Sequence, residues 1–157
     1  YRFDQWRLVN TDTLDLCDEL SRNTHQVTAQ NESAIENLDS SFEGWDSPHP
    51  LTGSCRSHLN AMSFTVQISP DNHGVYLRKL YDQFHGRQRA RISVDGASVG
   101  IWYLPEENRF HRWAERDFFI PEQFCQGKSS LTIVVDPPAC TPLWSISGYT
   151  VFSVVRS

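Results

Sequence analysis

After residue 60 the chain alternates between apolar and polar positions with a period of two; before it, the pattern is mostly lost. In residues 61–69, Met62, Phe64, Val66 and Ile68 fall on one face and Ser63, Thr65 and Gln67 on the other, as in a strand with one buried face. Pro70, Asp71, Asn72, His73 and Gly74 then supply the residue types that turns require. Residues 75–81 set Val75, Leu77, Lys79 and Tyr81 against Tyr76, Arg78 and Leu80, so neither face is wholly apolar and the strand is expected inside the sheet. Residues 88–94 set Ala90, Ile92 and Val94 against Arg89, Arg91 and Ser93, which turns the arginines outward. Asp95-Gly96 is a two-residue hairpin signal, and residues 99–103 form the returning strand. Alternation counted from Val99 sends Val99, Ile101 and Tyr103 to the core. It leaves Trp102 beside Gly100 on the outer face, a flat platform with open space next to it.

Residues 118–120 end at Pro121, and residues 131–135 are a continuous apolar run suited to a central strand covered on both faces. Residues 144–155 make a long last strand. At least six closely spaced strands predict an all-β chain, an antiparallel β-sandwich of jelly-roll type. It carries a long irregular N-terminal segment, with short helical pieces expected at residues 13–20 and 31–38 and a long loop over 39–60.

With 157 residues the expectation is one domain over 1–157, its main strands in 61–157, since folding at this size hides about 68–70% of the extended chain's surface. A net charge of −5 disfavours nucleic acid and anionic membranes as partners, and no apolar run approaches the ~18–20 residues of a membrane span. The chain opens on Tyr1, with its one methionine at Met62, which fits a removed signal peptide or an excised fragment. A sequon at Asn31-Glu32-Ser33 also fits an extracellular protein. Cys17, Cys55, Cys125 and Cys140 lack metal-knuckle spacing; Cys125 and Cys140 flank one predicted strand, so their pairing, with Cys17 to Cys55, is expected in a secreted chain. Four free thiols would instead place it in the cytoplasm. The six histidines form no metal motif, so no metal or cofactor is expected.

Residues 100–116 interleave aromatic and polar side chains, as sugar sites do: the CH face of a sugar ring lies on an indole while its hydroxyls need carboxylate, amide and guanidinium partners. Trp102 and Trp113 are the stacking candidates; the competing reading makes both core aromatics. Asp82, Gln83 and Arg112 are assigned to hydroxyls, with Arg78 and Tyr81 beside them. Glu43, Asp46, Asp82, His111 and Glu115 are the acid–base candidates should the chain be catalytic.

The runs Gly74-Val75-Tyr76-Leu77-Arg78-Lys79-Leu80-Tyr81-Asp82-Gln83, Gln88-Arg89-Ala90-Arg91, Val94-Asp95-Gly96, Gly100-Ile101-Trp102-Tyr103, Asn108, His111-Arg112-Trp113 and Phe118-Phe119-Ile120-Pro121 resemble a jelly-roll domain of secreted carbohydrate-active proteins. The resemblance extends over about residues 62–155 and includes the double-jelly-roll glycosidase family active on difructose anhydrides and arabinofuranosides. It implies a jelly roll and a carbohydrate ligand. That family draws two catalytic glutamates from a longer two-domain chain, whereas this chain has room for one sandwich. A carbohydrate-binding or lectin-like module is therefore the leading reading. A small β-sandwich enzyme, glycosidase-like or a cyclase or isomerase of a secondary metabolite, is the second. An assembly subunit, such as a homo-oligomer, is the third.

Overall fold

Residues 5–41, 52–140 and 142–156 are described by the computed structural model of the chain. Strands β1 (Trp6–Asp15), β12 (Gly148–Arg156), β6 (Val75–Asp82) and β9 (Trp113–Ile120) form a four-stranded sheet in the order β1-β12-β6-β9. The opposing five-stranded sheet runs β2 (Thr28–Ala29), β5 (Met62–Gln67), β10 (Ser130–Asp136), β7 (Gln88–Val94) and β8 (Ala97–Leu104). A small third sheet joins β11 (Trp144–Ile146), β4 (Thr52–His58) and β3 (Glu36–Asp39) at one end. All pairings are antiparallel.

The core lies between the two large sheets because their period-two faces meet there. Leu77, Tyr149 and Val151 come from one side, and Phe64, Val66, Ile92 and Ile133 from the other. Phe64 stacks on Tyr149 with ring centroids 4.9 Å apart. Each such side chain contributes about 1.5–3 kcal/mol by leaving water. One inward residue is not apolar. Lys79 is fully buried, its Nζ donating to Gln88 Oε1 at 3.0 Å and lying 3.3 Å from the ring centroid of Trp144.

Four local expectations are corrected. The single long strand expected over 144–155 is two, β11 and β12, which break at Ser147 and join different sheets. Residues 13–15 belong to β1, which runs beside β12 from Trp6↔Arg156 to Asp15↔Gly148; the helix α1 starts only at Glu19 and ends at Thr24, capped by Asp18, which accepts from Ser21 N. Residues 36–39, overlapping the end of the second expected helical piece, are β3, and β4 occupies part of the expected loop; β4 pairs with β3 on one side and β11 on the other, which local propensity does not reveal.

Trp102 points into the core, with 3% of its surface exposed, while Ile101 and Tyr103 face out at 66% and 52%. The cause is a bulge: Ile92 faces Gly100 and Ser93 faces Ser98, so Val99 is an extra residue and the alternation shifts by one beyond it.

No disulfide forms: all four cysteines are free thiols. Cys125 and Cys140 stand beyond opposite ends of β10, whose seven residues span about 23 Å, far beyond the reach of an S–S bridge. Burial pushes the Cys55 and Cys125 thiols up to about 11.

The hairpin turn forms as the sequence requires, with φ of 49° at Asp95 and 86° at Gly96. A Cβ on Gly96 would meet nothing within 4 Å, so substitution there costs backbone strain alone. Gly96→Val is expected to lower stability by about 1–2 kcal/mol, read as a fall in urea midpoint with unchanged m-value; an unaltered midpoint would refute the turn's role.

Candidate functional site

The outer face of the four-stranded sheet carries a row of rings. Register places Phe152 of β12 opposite Tyr76 of β6, and Tyr76 opposite Phe119 of β9, so three aromatic side chains stand side by side across three strands. Tyr76 and Phe119 have centroids 4.9 Å apart. Trp6 of β1 extends the row: it is 42% exposed, meets His73 edge-on at 4.8 Å, and has the Arg156 guanidinium 5.1 Å from its ring centroid. Trp6, His73, Tyr76 and Phe119, with Leu8 and Val154, line an open cleft of about 760 Å³, and Phe152 continues the row beside it.

Two ion pairs border the rings. Arg78 donates from Nε to Asp117 Oδ1 at 2.8 Å and from Nη2 to Oδ2 at 3.1 Å, and it lies over the Phe152 ring. The hydrogen bonds to Asp117 hold the Arg78 guanidinium pKa above its ordinary value. His73 Nδ1 lies 3.1 Å from Glu122 Oε2. Gly74, at φ 113°, is what lets the chain pass here: a Cβ would sit 2.4 Å from Phe119 Cζ. The cleft therefore offers apolar ring faces beside oriented carboxylate and guanidinium groups.

A second hollow, about 820 Å³, opens at the end of the sandwich where β3, β4, β6 and β7 converge. Its floor is a fixed polar frame. Arg112 donates from Nε to Asp82 Oδ1 at 2.9 Å and from Nη2 to Oδ2 at 2.6 Å, and hydrogen bonding to Asp82 raises the Arg112 pKa. Gln88 donates to the Asp82 and His85 carbonyls, while its Oε1 accepts from Ser145 N.

The sequence-predicted site is thus divided. Trp102 and Tyr81 are core side chains, and Trp113 is buried with its ring where a Cβ on Gly53 would come within 2.6 Å. Gln83 is buried and donates to the His111 carbonyl. Asp82 and Arg112 reach the end hollow as a closed pair, and Arg78 reaches the sheet face. Of the acid–base candidates, Asp82 is engaged by Arg112 through both oxygens and Glu115 is exposed on β9; Glu43 and Asp46 lie outside the described residues. Among the described residues no three His, Cys, Asp or Glu side chains are placed to hold a metal ion, and no helix is long and apolar enough to cross a membrane.

The sequence reading missed Trp6, Tyr76, Phe119 and Phe152. The signal was present for Tyr76, which alternation on β6 sets apart from Val75, Leu77, Lys79 and Tyr81, although it did not say which set faces out. It was hidden for Trp6, which lies in the segment read as irregular.

No family model matches the chain, and no curated protein matches it. Solved structures do. A carbohydrate-binding module, CBM6cm-2 from Cellvibrio mixtus lichenase 5A, in complex with cellotriose, superposes with a TM-score of 0.55 at 10% identity, covering 91% of this chain and 97% of that one. The family 35 carbohydrate-binding module from Paenibacillus barcinonensis gives 0.54 at 12% identity, over 89% and 97%. The extracellular domain of ANXUR1 from Arabidopsis thaliana gives 0.59 at 11% identity, over 94% of this chain and 49% of that one. The likeness is one of fold, a jelly-roll β-sandwich.

Proposed function

We propose that this chain is a carbohydrate-binding module whose ligand lies across the outer face of the four-stranded sheet. The observation that carries the reading is the Phe152, Tyr76, Phe119 row, flanked by Trp6 and bordered by the Arg78–Asp117 and His73–Glu122 pairs. Sugar rings present CH faces to such aromatics and hydroxyls to such charged groups. An open cleft on a sheet face suits an extended chain of sugars more than a single terminal unit. Two of the proteins of the same fold are carbohydrate-binding modules, one with cellotriose bound, and the sequence resemblance to carbohydrate-active jelly rolls supports the same ligand class.

The site moves away from Trp102 and Trp113 but keeps Arg78 from the sequence reading. The narrower tie to the difructose-anhydride and arabinofuranose-active family finds no support in the comparisons.

Phe119→Ala is expected to weaken binding of a β-glucan or xylan oligosaccharide, chosen from a glycan array, by about 1–3 kcal/mol in calorimetric titration. The ring is 42% exposed, so the fold should survive the change. An array on which neutral oligosaccharides give no signal, or a variant that binds as well as the parent, would overturn the reading.

A further inference from the structure

Three arginines follow one another along the start of β7. Arg89 and Arg91 share the outward face of the strand, one period apart, and Arg87 precedes it at φ 59°. All three are exposed, and none of their side chains makes a hydrogen bond or ion pair with a described residue. Among the described residues Arg22, Arg56, Arg78, Arg112 and Arg116 pair with carboxylates, and Arg109 and Arg156 lie over the Phe84 and Trp6 rings, whereas these three stand together at the start of β7 with neither kind of partner. Asp136 even stands opposite Arg91 in register, yet the two form no ion pair.

The arginines also join two hollows. Arg87 and Arg89 line the end hollow, and Arg89 and Arg91 line a smaller one of about 340 Å³ beside Pro137 and Pro138. Arg89 lines both, so the two hollows adjoin along β7 and are taken together as a groove. Directly across from Arg89 on β8 is Tyr103, half exposed, and across from Arg91 is Ile101. Cross-strand positions put the two Cβ atoms about 5 Å apart, so an apolar ring and a planar double donor stand side by side on one face. Gly86 fixes the approach: a Cβ there would lie 2.7 Å from Glu107 Cβ and 2.9 Å from the Pro105 carbonyl, so the turn carrying Arg87 is pressed against residues 105–107.

We propose that this groove binds an oligosaccharide carrying carboxylate groups, with Arg87, Arg89 and Arg91 holding the carboxylates and Tyr103 one sugar face. Arginine takes carboxylates through two parallel hydrogen bonds, which accounts for guanidinium groups left unpaired beside acceptors. The groove also holds acids, Glu36 and Glu107 at the end hollow and Asp136 at the smaller one. Those accept hydroxyl protons, which uronic-acid chains supply on every unit and a DNA backbone does not. The groove is separate from the aromatic sheet face and shares with it only the class of ligand.

The test is calorimetric titration of the full chain with oligomers of galacturonate, glucuronate and mannuronate, each beside its methyl ester, at low and high salt. At least one acid should bind, its methyl ester should bind markedly less, and added salt should weaken the acid. Arg89→Gln should weaken that binding by about ten- to a hundredfold with an unchanged melting temperature. Phe119→Ala should leave it intact, and Arg89→Gln should leave neutral-glycan binding at the sheet face intact, so either reading can fail alone. Equal binding of acid and ester, insensitivity to Arg89→Gln, or silence towards all three acids would overturn the proposal. Binding of a single-stranded oligodeoxynucleotide in place of any uronate would overturn it in favour of a nucleic-acid surface.

Discussion

Trp102→Ala is expected to lower the stability of the chain by about 3–5 kcal/mol, the cost of truncating a large buried aromatic. The indole sits where both sheets and the third sheet meet. Its ring lies 5.4 Å from Phe118, 5.6 Å from Trp144 and 6.4 Å from Tyr149, centroid to centroid. Three rings from β9, β11 and β12 therefore lose a common neighbour, and none is a flexible side chain able to fill the space. Tyr103→Ala, one residue further along the same strand, removes an outward ring and should cost well under half as much. Urea unfolding of the two variants reads the phase of β8 directly. A mild Trp102→Ala beside a severe Tyr103→Ala would show that the bulge at Val99 is misplaced, and with it the outward Tyr103 on which the arginine groove depends.

That bulge marks the limit of what alternation reveals. From residue 61 on, the strands at 61–69, 75–81, 88–94 and 131–135 were legible because each is regular and one of its faces meets the core; the apolar run at 131–135 is central in its sheet but covered on one face only, with Thr132 exposed, not on both as expected. The outward direction of Arg89 and Arg91 followed from the same count. Beyond Val99 the count inherits an error of one residue, which exchanges the two faces of the strand, and a candidate platform becomes a core residue. β1 escaped for a different reason. Its sequence, Trp6 to Asp15, is polar at six of ten positions and does not alternate cleanly, because it is an edge strand with much of its surface in water, and only its pairing with β12 makes it a strand.

The polar site residues show a related division. Asp82, Gln83 and Arg112 were picked out as ligand groups because charged and amide side chains cluster there. The structure uses them largely on one another and on backbone: Arg112 on Asp82, Gln83 on the His111 carbonyl, Asp82 Oδ1 also on Phe84 N. Sequence gives the residue types of a polar network without saying whether it is satisfied internally. The unpaired guanidinium groups of β7 emerge only once every other pair has been found.

Lys79→Met is expected to stabilise the chain at neutral pH by about 1–3 kcal/mol, and the gain should shrink as the pH rises towards 10. Lys79 has no carboxylate partner; its amine has Gln88 Oε1, the Trp144 face at 3.3 Å and the Tyr81 face at 4.1 Å. Desolvation drives its pKa well below the ordinary value, against only the weak opposing pull of Cys55. The unfolded chain, with an ordinary lysine, therefore holds a proton that the folded chain resists. Between the depressed folded value and about 10.4 folding releases that proton, so this residue's contribution to stability rises with pH and its penalty is greatest on the acid side. Methionine keeps the length and polarisable contact with both rings and removes the penalty. Gln88 Oε1 is not orphaned, since it still accepts from Ser145 N at 2.9 Å. The thiol of Cys55 and the phenol of Tyr149, both pushed up by burial, also titrate in alkaline solution, but they are common to both proteins and cancel in the difference. Urea unfolding of parent and variant at pH 7 and pH 10 supplies that difference. A variant less stable than the parent at pH 7, with a deficit that persists at pH 10, would show that the aromatic contacts of the amine outweigh its desolvation.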